Sequence, residues 1–168
     1  MAVYAAIART ETPHLDSAMR RLSRAADLSK LNLAAAALLA AAGGPVGRRA
    51  AKSGLASLGA SSALVNAVLK PLGRRNRPDR ERLTVPVARH VAMPSSASLP
   101  SGHAASAFAF ATGAGQVLPR AAAPLRLLAA LVAYSRVHTG VHYPGDVFAG
   151  ALVGSALAQA TTHLVERR

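Results

Sequence analysis

The chain has 168 residues, 51% hydrophobic and only 16% charged, with a mean hydropathy of +0.25. The absence of cysteine excludes disulfides, thiolate catalysis and cysteine-held metal. The net charge of +13 comes with no nucleic-acid reader motif and no aromatic platform, so it is assigned to anionic lipid headgroups and to topology.

Residues 1–30 carry both charge signs and show no cleavable signal peptide. Leu15, Met19, Leu22, Ala26 and Leu28 alternate there with Arg20, Arg21, Arg24 and Lys30. This predicts an amphipathic helix, either lying on a membrane surface or packed on the rest of the protein.

Five apolar runs follow: Leu31–Gly47, Ser53–Leu69, Ala104–Pro119, Ala121–Ser135 and Val147–Val165. Most have 15 to 19 residues, at or below the ~17–25 of a spanning helix. They predict an all-α, polytopic membrane bundle of about five spanning helices plus the N-terminal amphipathic helix. Gly150 and Gly154 stand at GxxxG spacing, suited to close helix contact within one chain or between copies. The long polar connection from Pro71 to Pro100 suits a lid or a headgroup-selecting element. The expectation is a single domain over residues 1–168, with its motif-bearing core at 54–160.

Lys70 closes the second run, His103 opens the third, and Arg136 and His142 lie between the fourth and fifth. Alternating spans put these three places on one side of the membrane. Lys70, Arg77 and Arg136 supply the cations that a phosphate needs, the arginines as planar forks. Ser101 and Gly102 precede a helix start whose N–H groups suit an oxyanion. His142 and Asp146 are spaced i, i+4, so the carboxylate can orient the imidazole. His103, on a separate element, is free to act as an acid. His138 and His142 share zinc-ligand spacing, but the surrounding Lys and Arg would repel a cation, so no metal and no cofactor is expected.

Lys70-x6-Arg77-Pro78, Pro100-Ser101-Gly102-His103 and Ser135-Arg136-x5-His142-x3-Asp146 make eleven fixed positions in order. They resemble the three signature motifs of the type 2 phosphatidic acid phosphatase family, shared with vanadium haloperoxidases. The resemblance implies phosphate binding by Lys70, Arg77, Ser101, Gly102 and Arg136. It implies His103 as general acid, His142 as nucleophile through a phosphohistidine, and Asp146 as partner of His142. The implied activity is metal-independent hydrolysis of a lipid phosphate monoester. Many membrane members have six spanning helices, against the five runs here. The haloperoxidases are usually larger and soluble and form the different-class alternative.

On the motif-bearing side lie 13 of the 20 basic residues, or 10 against 7 once Lys70, Arg77 and Arg136 are set aside. The positive-inside rule then puts that side in the cytoplasm of a plasma or inner membrane. The short, alanine- and arginine-rich chain looks like family members of cell-wall arabinan synthesis. That implies the 5-phosphate of a polyprenylphosphoryl ribose as substrate. Phosphatidate, phosphatidylglycerophosphate and polyprenyl pyrophosphate are the same-class alternatives. The partners expected are the lipid phosphate and the bilayer, with no nucleic acid; no oligomeric state is implied.

Overall fold

The computed structural model describes residues 2–166, all helix, turn and loop, with no strand among the described residues. The N-terminal stretch is two helices, α1 (Ala2–Arg9) and α2 (Pro13–Ala25), with Pro13 in the first turn of α2. Asp16, Met19 and Ser23 form the buried face of α2, which packs on α7 (Pro119–His138). The amphipathic segment is therefore docked on the protein, with polar groups on its inner face.

A 3-10 turn at Asp27–Ser29 leads into α3 (Lys30–Ala42), and α2 and α3 meet at 66°. Leu28 and Ser29 both take left-handed backbone angles, which makes this corner sharp. The expected run to Gly47 is cut short. Its helix ends at Ala42, and Gly44 at φ +59° with Pro45 starts α4 (Gly44–Leu64). The 13 residues of α3 rise about 20 Å, less than the ~30 Å hydrocarbon thickness. In contrast, α4 starts nine residues before the expected Ser53. It continues through a π turn at Val65–Leu69 into α5 (Lys70–Gly73).

All five apolar runs are helical, but their spanning capacity differs from the expectation. Among the described residues, Gly44–Gly73 and Pro144–Leu164 are long and apolar enough to cross a membrane. The bent α2–α3 pair makes a third if counted as one span. The reason is local: Gly43 and Gly44 divide one run, α6 (Gly102–Val117) has only 16 residues, and Arg120, Arg126 and Arg136 lower the hydropathy of α7.

Helix α6 is the central post, packed between α4, α7 and α8 (Pro144–Glu166). Small residues make these contacts close. A Cβ on Gly150 would stand 2.5 Å from the Ser101 carbonyl oxygen, and one on Gly154 would overlap the Ala105 carbonyl oxygen. The GxxxG pair is thus used inside the chain, against the start of α6. On the other side Gly113 faces Ser57 of α4. Ser53 and Ser57 meet Thr162 and Thr161 of α8 at 3.2 and 2.8 Å, so these hydroxyls are paired between helices.

The connection after α5 is mostly irregular but tied down. Arg89 is fully buried and donates from Nε to Asp16 (2.8 Å) and from Nη1 to the Ile7 carbonyl (2.9 Å). His138 of α7 reaches the same Asp16 oxygen at 2.8 Å. This cluster joins α1, α2, α7 and the long connection across the motif-bearing end of the bundle.

Candidate active site

Helix α7 ends at His138, and Gly140, at φ +70°, turns the chain back in the left-handed conformation that glycine favours. The N–H groups of Val141 and His142 then both donate to the Arg136 carbonyl, at 3.1 and 3.2 Å. The five-residue gap of the third motif is this reversal, and it returns His142 to the level of Arg136. Pro144 starts α8, so His142 sits in the turn before the helix and not on it. Asp146 lies in the first turn of α8, where a carboxylate complements the helix dipole.

Asp146 is fully buried and highly committed. Its Oδ2 accepts from the Tyr143 N–H (2.9 Å) and from Ser98 Oγ, and stands 3.7 Å from His142 Nδ1. Ser98 Oγ also lies 3.4 Å from that nitrogen, so the hydroxyl bridges carboxylate and imidazole. Oδ1 pairs with Arg75 Nη1 at 2.8 Å, and the Arg75 guanidinium stacks 4.4 Å above the Tyr143 ring. Arg75 is therefore occupied by Asp146.

The other imidazole nitrogen of His142, Nε2, meets Arg77 Nη1 at 3.1 Å. With the proton on Nδ1, the Nε2 lone pair points at the guanidinium. Burial, joined by the charges of Arg77 and Arg136 and opposed by Asp146, pushes His142 down to about 4. It is a neutral base at pH 7. Arg77 is held by the Ser96 carbonyl (2.9 Å) and the Val141 carbonyl (2.9 Å), and Lys70 Nζ donates to Ser96 Oγ at 3.2 Å. Ser96 thus gathers both cations of the first motif.

Ser101 caps α6, its Oγ accepting from the Ala104 N–H at 3.5 Å, while its own N–H donates to the Asp146 carbonyl at 2.9 Å. A Cβ on Gly102 would stand 3.4 Å from Lys70 Nζ, so glycine leaves room for the ammonium at the helix start. His103, one residue on, meets Asp27 Oδ1 at 3.0 Å through Nε2. The same oxygen is 3.7 Å from Arg136 Nη1, which also donates to Ser23 Oγ at 2.6 Å. Burial first and Arg136 second push His103 down to about 4, with Asp27 opposing.

All eight candidate residues thus converge at one end of α4–α5, α6, α7 and α8. His138 is turned away from His142 and held by Asp16. Among the described residues no three His, Cys, Asp or Glu side chains gather as a metal site. Four contributors were not singled out from the sequence: Asp27, Ser98, Ser96 and Ser23. Asp27 had one available signal, an acidic side chain at the entry to an apolar run in a chain with only 7 acidic residues. The serines had none, because Ser96 and Ser98 lie in a Ser-rich loop with no spacing rule and Ser23 reads as one small polar residue on an amphipathic helix.

The model of the PAP2 superfamily matches residues 52–168. The chain belongs to the PAP2 superfamily. It is a membrane protein, and among the described residues two helices are long and apolar enough to cross a bilayer. It is similar to a decaprenylphosphoryl-5-phosphoribose phosphatase of Mycobacterium tuberculosis, at 41% identity over 107 residues, 61% of this chain and 55% of that one. The chain thus spans about half the length of the curated relatives it matches. Its structure is similar to that of a transmembrane PAP2 type phosphatidylglycerolphosphate phosphatase from Bacillus subtilis. There the TM-score is 0.72 and the identity 25%, over 99% of this chain and 84% of that one. It shares its fold with LpxE of Aquifex aeolicus, at TM-score 0.74 and 24% identity, over 96% and 93% of the two chains.

Proposed function

We propose that this PAP2 protein is a metal-independent membrane lipid phosphatase working through a phosphohistidine on His142. The observation that carries the reading is the His142 Nε2 lone pair, backed by Asp146 and Ser98 and aimed at Arg77, the nearest of three cations. A phosphate monoester held by Lys70, Arg77, Arg136 and the N–H groups at Ser101–Gly102 takes the place of the Arg77–His142 contact. Nε2 attacks phosphorus, and the bond to the ester oxygen breaks. That oxygen takes a proton from the imidazolium form of His103, which the Asp27 carboxylate favours, and leaves as an alcohol. Water then attacks the phosphohistidine while neutral His103 takes a proton from that water. The P–N bond breaks and orthophosphate leaves. Ser98 Oγ accepts from Nδ1–H and donates to Asp146, whose charge, 3.7 Å away, stabilises the imidazolium that His142 becomes on attack.

The substrate we favour is the 5-phosphate of a polyprenylphosphoryl ribose. The Mycobacterium tuberculosis relative supports it. So does a cavity of about 530 Å³ lined by Arg24 and Lys30 together with Asp27, His103 and Arg136, whose two further cations suit the phosphodiester of such a lipid. We place the site at the cytoplasmic face of the plasma membrane and take residues 1–168 as one phosphatase unit, the first thirty closing its motif-bearing end. Phosphate release from purified protein tests the substrate, against prenylphosphoryl ribose 5-phosphate, phosphatidate, phosphatidylglycerophosphate and polyprenyl diphosphate. Release only from the diphosphate would replace the preferred substrate. Vanadate-dependent halide oxidation without phosphate release would replace the phosphatase reading. For the side, a cysteine at Ser95 is expected to resist an impermeant thiol reagent in intact cells and to react after lysis.

A further inference from the structure

A second cavity, about 230 Å³, runs from the catalytic end between α3, α4 and α6. Lys70, Gly102 and His103 line it where it meets the phosphate-binding groups. Farther along, its polar lining is Asn32, Ser62, Asn66 and Ser106. Ser62, Asn66 and Lys70 follow at i+4 steps, so hydroxyl, amide and ammonium form one stripe. The π turn at Val65–Leu69 lies within this stripe, and such turns gather at functional positions.

The cavity holds two of the chain's three asparagines, drawn from helices that are otherwise mostly apolar. Asn66 is exposed and Asn32 half-buried, so both amides are open to a ligand that enters the cavity. Asn32 makes no side-chain hydrogen bond among the described residues, and Asn66 makes one, from Nδ2 to the Ser62 carbonyl at 2.9 Å. Ser62 and Ser106 pair with each other at 3.0 Å. Amide donors and acceptors therefore stand beside the phosphate seat with capacity to spare. A bare acyl or isoprenoid chain would leave them unmatched, whereas hydroxyl groups would satisfy them.

We infer that this cavity is a headgroup seat for a polyol or a single sugar carrying the scissile phosphate, read by Asn32 and Asn66 with Ser62 and Ser106. The inference rests on the phosphatase reading and narrows its substrate to lipids with hydroxylated phosphate-bearing headgroups. An amide pair that recognises hydroxyls discriminates strongly, because the unmatched ligand strands both amides.

Inhibition constants of ribose 5-phosphate and orthophosphate, measured on phosphate release by the whole protein in micelles, separate the cavity from the phosphate seat. Ribose 5-phosphate is expected to bind wild type about 10-fold or more tighter than orthophosphate. In Asn32→Leu/Asn66→Leu that advantage should vanish while the orthophosphate constant stays within about 2-fold, a factor set by the phosphate seat alone. If the double variant does not fold, Asn66→Ser should give a partial loss in the same direction. No ribose advantage in wild type, or one that survives the substitutions, would overturn the inference. So would equal weakening of both inhibitors. If wild type releases no phosphate from any lipid, the phosphatase reading fails instead. If it hydrolyses prenylphosphoryl ribose 5-phosphate yet shows no ribose advantage, only the headgroup seat fails.

Discussion

Replacing Asp27 by Asn leaves the shape of the site and removes one charge. The Asp27 carboxylate is 3.0 Å from His103 Nε2 and 3.7 Å from Arg136 Nη1. At 3.0 Å a pair of unit charges interacts by about 1.4 kcal/mol at water's dielectric and about 5.5 at an effective value of 20. The Asp27 side chain is 51% exposed, so the low end applies, about 1–2 kcal/mol. His103 already sits down at about 4 through burial and Arg136, and Asp27 is the opposing influence. Its loss should lower the imidazolium available to the leaving oxygen, reducing kcat for an alkyl or sugar phosphate by about 5- to 30-fold. With p-nitrophenyl phosphate, whose leaving group needs no proton, the loss should be under about 3-fold. Stopped assays on both substrates, in wild type and Asp27→Asn, supply the comparison. Equal losses would refute the acid-supporting role. A rise in activity would show instead that the carboxylate competes with phosphate for Arg136.

His142→Ala is expected to abolish both turnover and phosphoenzyme labelling; acid-labile label surviving on another residue would remove His142 as nucleophile. His142 must be neutral to attack and is held down to about 4. Thus kcat/KM for p-nitrophenyl phosphate, whose leaving group needs no acid, should show no loss near pH 6.5 from His142, because protonation takes the Nε2 lone pair only near 4. With an alkyl or sugar phosphate it should instead rise as pH falls below 7 and His103, also held down to about 4, gains its proton; an acid limb near 6.5 on the nitrophenyl ester would contradict this environment. Turnover should persist in EDTA and be inhibited by vanadate, since the cations are side chains; rescue of EDTA-treated protein by magnesium or zinc would sink this mechanism. Gly150→Ala forces a methyl to within 2.5 Å of the Ser101 carbonyl. It should destabilise by about 1–3 kcal/mol, read by thermal unfolding in detergent, and should lower kcat by displacing Asp146 from Ser101. Arg89→Met takes the guanidinium from the buried Asp16 carboxylate and leaves it the Thr12 hydroxyl and His138. The expected loss of stability is about 3–5 kcal/mol, with proteolysis beginning in the long connection.

The candidate site was legible because the residues proposed for catalysis are tied to local geometry. The gap from Arg136 to His142 is a left-handed reversal at Gly140, and the gap from His142 to Asp146 spans the turn into α8, which starts at Pro144. Such turns need particular residues at particular intervals, so they leave a readable pattern. Helix content was legible for the same reason, from apolar runs broken by Gly, Pro and Arg. Helix length was not. Alanine-rich segments lie near the hydropathy threshold, so whether a run becomes one span or part of a bent pair depends on where glycines let neighbours close in. Gly43 and Gly44 split a run that reads as continuous, and α4 reached back through Arg48, Arg49 and Lys52. Only tertiary structure placed Asp27 against His103 and Arg136, Ser98 between His142 and Asp146, and Asn32 across from Asn66. These partners lie tens of residues apart and meet because the helices and connections that carry them pack around one end of α6. Contacts of that kind are set by the volume of small residues at helix crossings, and a linear pattern of residue types does not encode which crossings form.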